Sequence, residues 1–313
     1  MKTSVAKSGD GTWKLSGANT YTGTTTINAG TIVLGANQNI GAISGAGALN
    51  LSTYTLTTNA SSDTTFSGII SGTGSLTKNG TGTLTLSNAN TYTGGTTVNA
   101  GTLSLATAGA DGIIRGNLTI NQGAVVSANA NNWSLGYGGT QNYIGNSVSG
   151  IRINGGTLNF TDSSNDGGIV AATTVLTGGT ISSAGNFAFL STYTYNQTVQ
   201  SLASANRSTI ASGVALRMNF SPIGNLIFDV ASGTTSDGID LQVNGGIINA
   251  NTQGGGNIVK SGNGRLVFAG NNTYTGTTTV NAGTLSMTGL TNQLASASVA
   301  GTGNVALNGG SLT

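Results

Sequence analysis

The chain has 313 residues, of which 37% are hydrophobic and only 6% charged, with ten Lys and Arg against eight acidic residues for a net charge of +2. Ordinary globular domains are roughly a quarter charged, so solubility must come from Thr, Ser and Asn, and ten scattered cations form no basic stripe for nucleic acid. Cysteine and histidine are absent, which removes disulfides, thiol nucleophiles, His-dependent triads and Cys/His zinc sites.

Fifty-two glycines and a single proline, Pro222, complete the unusual composition. Glycine does not follow the strict Gly-X-Y period of a collagen helix, and the apolar residues fall in alternating patterns that argue against disorder. The excess fits a turn at every corner of a repetitive β structure. The start of the chain holds no apolar run of signal-peptide length, and no segment approaches the roughly 18 apolar residues of a membrane helix. Any targeting signal or membrane anchor is therefore expected outside this sequence.

In chain order, residues 7–34 are the first of three copies of one 28-residue unit, the others being 78–105 and 260–287; 14 of the 28 positions are identical in all three. Self-similarity of this kind marks a repeat architecture. In the second copy Leu84 and Leu86 alternate with Thr83, Thr85 and Ser87, and Leu103 and Leu105 alternate with Thr102 and Ser104, the period of a strand with one apolar face. Between them lie a polar turn with one aromatic, from Asn90 through Tyr92 to Gly94, and a second turn, Asn99-Ala100-Gly101, whose glycine is free to take a positive φ. Each copy therefore reads as strand, turn, short strand, turn, strand. Stacking buries its apolar edge if every strand pairs with its equivalent in the next layer. The first copy has Trp13 where the others have Leu84 and Leu266; core packing is the favoured reading, and covering the open end of the core is the competing one.

Residues 35–77 contain weaker echoes of the unit, and 106–259 keep only its corner, an apolar strand running into Asn or Thr, one further residue and a glycine. With Gly30, Gly101, Gly283 and Gly310, that corner occurs eight times. Its spacings predict a coil of about 22–24 residues with insertions, as three short strands and three turns require. Roughly 12–14 coils follow, about 60 Å long at about 4.8 Å per layer. No domain boundary stands out, so residues 1–313 read as one repeat domain. The last residues stop inside a corner-and-strand unit, which suggests a fragment.

The 28-residue motif, Lys-x-Gly-x-Gly-x-Leu-x-Leu followed by Asn-Thr-Tyr-Thr-Gly and Asn-Ala-Gly-Thr, resembles the autotransporter-associated β-strand repeat, also called the passenger-associated transport repeat. The full motif covers only the three copies, and the weaker corner matches spread the likeness over most of the rest. The resemblance implies an all-β fold, a right-handed parallel β-helix or three-sided β-solenoid, within a passenger exported across the outer membrane. Its expected location is extracellular or on the bacterial surface. Neither signal peptide nor translocator barrel is in this sequence, so membrane insertion is not expected of it.

All eight acids are Asp, at 10, 63, 111, 162, 166, 229, 237 and 240. A β-helix lyase or hydrolase needs several carboxylates converging on one face; the candidates are Asp162 with Asp166, and Asp229 with Asp237 and Asp240, joined by Arg152 or Arg217. Turn capping is the favoured reading of these residues, and no catalytic, cofactor or metal residue is assigned. Trp133, Tyr137 and Tyr143 put three aromatics in one short polar loop and could stack on a sugar ring, against the favoured reading that the loop packs on its own coil. The expectation is a non-enzymatic scaffold or adhesin shaft. A host-surface or carbohydrate ligand and end-to-end self-association are the candidate partnerships, and a self-assembling fibre subunit or a polysaccharide-active enzyme are the alternatives.

Overall fold

A computed structural model describes residues 3–106, 112–128, 134–135, 148–161, 168–169, 171, 173–185, 187–190, 196–217, 224–249, 256–288, 305–307 and 311–312. Among the described residues there is no helix; short strands follow one another along the chain. Contacts group into two compact units, Met1–Ser149 and Gly150–Thr313.

In the first unit the strands build three parallel sheets. One runs Val5–Lys7, Thr24–Ile27, Ala42–Gly45, Thr64–Phe66, Thr83–Leu86, Thr102–Leu105, Val125–Ala128. A second stacks Thr12–Leu15, Thr31–Leu34, Ala48–Asn50 and Ile70–Ser71, and a third Gln38–Ile40, Thr55–Thr58, Ser75–Lys78, Thr96–Val98 and Gly116–Ile120. The second unit repeats the plan with seven strands from Thr157–Phe160 to Ser311–Leu312, seven from Val148–Asn154 to Val305–Leu307, and four from Gly168–Ile169 to Ile247–Asn249. Three parallel sheets with chain-sequential strands in different sheets make a three-sided parallel β-helix, with seven layers in the longest sheet of each unit.

Alternation explains the interior. Thr83–Leu86 and Ser75–Lys78 alternate between half-buried and buried, so every second side chain faces inward. Inward residues then stack in register. Leu84, Leu103 and Val126 form one such row, and Leu158, Ile181, Ile210, Val243 and Phe268 form another. Each fully buried Leu, Ile or Phe contributes about 1.5–3 kcal/mol. Phe228 and Phe268 meet edge to face, with centroids 5.6 Å apart.

Two expectations need correction. The first and last strands of a repeat pair with each other, not with their equivalents in the next copy: Thr12 lies beside Thr31, Leu84 beside Leu103 and Leu266 beside Leu285. A layer is shorter than the motif, so the last strand of each copy wraps back onto its first. The layer length also falls below the roughly 22–24 residues expected in part of the chain, while the longer steps are the expected insertions. Register partners Leu76 and Thr96 are closer in sequence than Thr157 and Thr180, and Ser208 and Leu241 are much further apart. Insertions enter at the corners while the strands keep their register.

Trp13 departs from the core reading. It is 47% exposed where its counterpart Leu84 is 3% exposed, because Thr12–Leu15 is the outermost of the described strands of its sheet. The Lys7 ammonium stands 5.7 Å from the centre of its ring.

Candidate functional site

The feature that recurs in all three copies is a buried lysine. Strand alternation turns Lys7, Lys78 and Lys260 inward, where each is no more than 2% exposed. In register, Lys78 stands between Thr58 and Val98, and Lys260 between Phe228 and Val280. An unpaired ammonium among such neighbours is costly, and the side chain escapes by bending to the corner. Lys78 Nζ donates to the carbonyls of Gly80 (2.5 Å) and Ala100 (2.9 Å). Lys260 Nζ donates to Ser261 (2.8 Å), Gly262 (2.7 Å) and Ala282 (3.1 Å), and Lys7 Nζ to Gly9 and to Ala29 (3.1 Å). Each lysine thus ties the Gly-x-Gly turn that follows it to the Asn-Ala-Gly corner of the next layer.

That corner glycine completes the clamp. Gly101 has φ 64° and lies over the preceding turn so closely that a Cβ would stand 2.5 Å from the Thr81 carbonyl and 2.6 Å from those of Gly80 and Gly82. Gly30, Gly123 and Gly283 also take positive φ, whereas in Gly155-Gly156 and Gly178-Gly179 the first glycine takes it. Gly310 lies outside the described residues. Burial lowers the pKa of Lys78, with the charge of Asp63 partly opposing; burial lowers that of Lys260 to about 8 against the opposing charges of Asp229 and Asp240.

The Asn-Thr-Tyr-Thr-Gly turn is a second stitch. Asn90 Oδ1 accepts from the Ile70 amide at 2.7 Å while its Nδ2 donates to the Ile113 carbonyl at 2.8 Å, joining the layers on either side. Asn272 accepts from the Ile247 amide at 2.9 Å in the same manner. Tyr92 and Tyr274 are fully buried, and each phenol shares a hydrogen bond with the threonine that opens the next strand, Thr96 at 2.6 Å and Thr278. Burial pushes both phenols up, Tyr274 to about 12. Tyr21 bonds Thr25 in the same way at 2.6 Å but is only half-buried. These tyrosines pack locally, one per turn, as their wide sequence spacing suggests.

Outside the core, asparagines form ladders. The amides of Asn59, Asn79, Asn99 and Asn121 each donate to the Oδ1 of the asparagine one layer before, from Asn39 onward, at 2.5–3.2 Å. Asn196, Asn225 and Asn257 form a shorter one in the second unit.

Among the candidate acids, Asp240 is nearly buried and accepts from the amides of Gly233 (2.6 Å) and Arg265 (2.7 Å). Asp237 accepts from the Ile239 amide at 3.0 Å and pairs with Arg207 at 2.8 Å, on the surface. Asp229 accepts from Gln200 Nε2 at 3.1 Å. All three are engaged in holding turns and neighbouring strands, and Arg152 is exposed on its strand. Asp111, Asp162, Asp166, Trp133, Tyr137 and Tyr143 lie outside the described residues, as does the side chain of Arg217. No group of three or more metal-binding side chains converges among the described residues.

The lysine role is absent from the sequence reading, although its signal is there: Lys78 continues the inward alternation from Leu76 and recurs in every copy. The motif so stitched matches the family described as Passenger-associated-transport-repeat at residues 5–34, 76–105 and 258–287. The chain carries three passenger-associated-transport repeats. It is also 42% identical over 142 residues to the Adhesin BmaC autotransporter of Brucella suis biovar 1 (strain 1330). That alignment takes in 40% of this chain and 4% of the adhesin. No solved structure matches the chain. In this chain the repeat is thus physically a layer and a half of β-helix whose own first and last strands pair, closed by an internal cation.

Proposed function

We propose that this chain is a non-enzymatic scaffold segment of a surface-displayed autotransporter passenger, a shaft that carries adhesive parts. The observation that supports this most is the use of its recurring residues: lysine, tyrosine, asparagine and glycine of the repeat join layer to layer. The match to passenger-associated-transport repeats and the likeness to a protein named an autotransporter adhesin support the setting. Extracellular or cell-surface location belongs to this proposal.

The test is to place the chain between a secretory signal and an outer-membrane translocator barrel and to follow its exposure to added protease on intact cells. Surface exposure of a protease-resistant β-rich product is expected. Retention inside the envelope, or cleavage of polysaccharides by the purified chain, overturns the proposal.

A further inference from the structure

We propose that Asn244 is a site of spontaneous covalent modification, where the side-chain amide is converted to a carboxylate through a cyclic imide, independent of how the chain is displayed. Asparagine followed by glycine is the pairing that favours this chemistry, because glycine has no side chain to hinder its main-chain nitrogen or restrict its conformation. Five such pairs occur, beginning at Asn79, Asn154, Asn244, Asn263 and Asn308, and the last lies outside the described residues. The structure separates the other four.

For the imide to form, the glycine nitrogen must give up any hydrogen bond it donates, and the asparagine side chain must turn toward it. Gly264 donates to the Val230 carbonyl at 2.7 Å and Gly155 to the Thr177 carbonyl at 3.0 Å. Gly80 donates more weakly to Thr58, at 3.4 Å, but Asn79 is held on both sides in its ladder, by Asn59 at 3.2 Å and Asn99 at 2.7 Å. Gly245 is different. Its amide has no acceptor among the described residues, and the Asn244 side chain is exposed with no polar partner among them. The Asn244 main chain stays anchored meanwhile, its amide donating to Ile210 at 2.8 Å, so an ordered corner presents the reacting groups.

The step balances with water alone. The Gly245 nitrogen, its proton passed to hydroxide, attacks the side-chain carbonyl carbon of Asn244. A carbon–nitrogen bond forms, and ammonia leaves with a proton from water, regenerating hydroxide. Water then opens the imide: attack at the side-chain carbonyl gives aspartate, and attack at the main-chain carbonyl gives isoaspartate, whose main chain runs through an extra methylene. The corner receives the two products differently. A Cβ on Gly245 would stand 2.0 Å from the Gly213 nitrogen, and one on Gly270 would stand 2.2 Å from the Gly245 carbonyl carbon, so the layers on both sides already press on it. Aspartate keeps this main chain and adds a surface charge, whereas isoaspartate lengthens it where there is no slack.

The experiment is incubation of the full chain in mildly alkaline buffer, either folded or in concentrated urea, with position-resolved mass spectrometry of its peptides over time. In the folded chain, confirmed by its far-ultraviolet dichroism, conversion at Asn244 should run about tenfold faster than at Asn79, Asn154 or Asn263, since each of those pairs must first give up a hydrogen bond. In urea the four rates should converge. Two results overturn the inference: equal rates at the four positions in the folded chain, or an advantage of Asn244 that persists undiminished in urea, which would make local sequence its cause. Either result leaves the scaffold reading standing, because surface display tests that separately.

Discussion

The ammonium of Lys78 lies 2.9 Å from the carbonyl oxygen of Ala100, in the corner one layer further along the chain. A lysine in an inward position of a β-helix therefore acts as an internal cation, satisfying corner carbonyls that the turn leaves without amide partners. Lys78→Met keeps the apolar stem and removes the donors, leaving the Gly80 and Ala100 carbonyls unsatisfied. A loss of about 1–3 kcal/mol is expected in denaturant unfolding. Lys7→Met, far from it in the stack, should add nearly independently; no loss in either variant would remove the clamp from the account.

The pH dependence follows from the same burial. Lys260 titrates near 8 in the folded chain against 10.5 for the free side chain, so between those values the unfolded chain holds a proton that the folded chain has lost. Stability therefore rises with pH across that window. Tyr274 has the opposite sense. Its folded pKa is raised from 10.0 to about 12, so the unfolded phenol ionises first, and stability falls as pH passes from about 10 to 12. Thermal melts across pH 7–12 should show a maximum near 10, and Lys260→Met should flatten the rising limb.

Gly101 and Gly123 separate strain from close approach. Both have positive φ, 64° and 75°, but a Cβ on Gly101 meets three carbonyl oxygens whereas one on Gly123 meets nothing within 4 Å. Gly123→Ala should cost about 1 kcal/mol for conformation alone, and Gly101→Ala clearly more. Equal melting temperatures for the two variants would contradict the packing described at the corner.

Much of this was legible in the sequence for a simple reason. Alternating Leu and Thr in Thr83–Leu86 and Thr102–Leu105 report the strands directly, and Asn-Ala-Gly reports a corner whose glycine takes positive φ. The layer length was not legible, because a repeat longer than its layer looks like one unit and Leu103 gives no sign that its neighbour is Leu84. Lys78 reads as one more scattered charge, since composition places lysine outside unless the alternation is followed through it. Trp13 reads as core because Leu84 and Leu266 stand at its place in the other copies, and only topology shows that Thr12–Leu15 is the outermost described strand of its sheet.

Tyr92→Phe probes the polar turn. It leaves the Thr96 hydroxyl, itself 2% exposed, without its partner, and should cost about 1–2 kcal/mol. Tyr21→Phe, where Tyr21 is half-exposed and water can replace the phenol, should cost less; the reverse order in chemical denaturation would contradict the assignment.

The central claim, that each repeat folds back so that its first and last strands lie side by side, is tested most directly by spin labels on a Thr83→Cys/Thr102→Cys variant of this cysteine-free chain. Thr83 and Thr102 are register partners, on strands about 4.8 Å apart, so strong dipolar broadening at the shortest measurable separations is expected. Labels with no broadening, at the distance of strands that are not neighbours in a sheet or of an open chain, would contradict it.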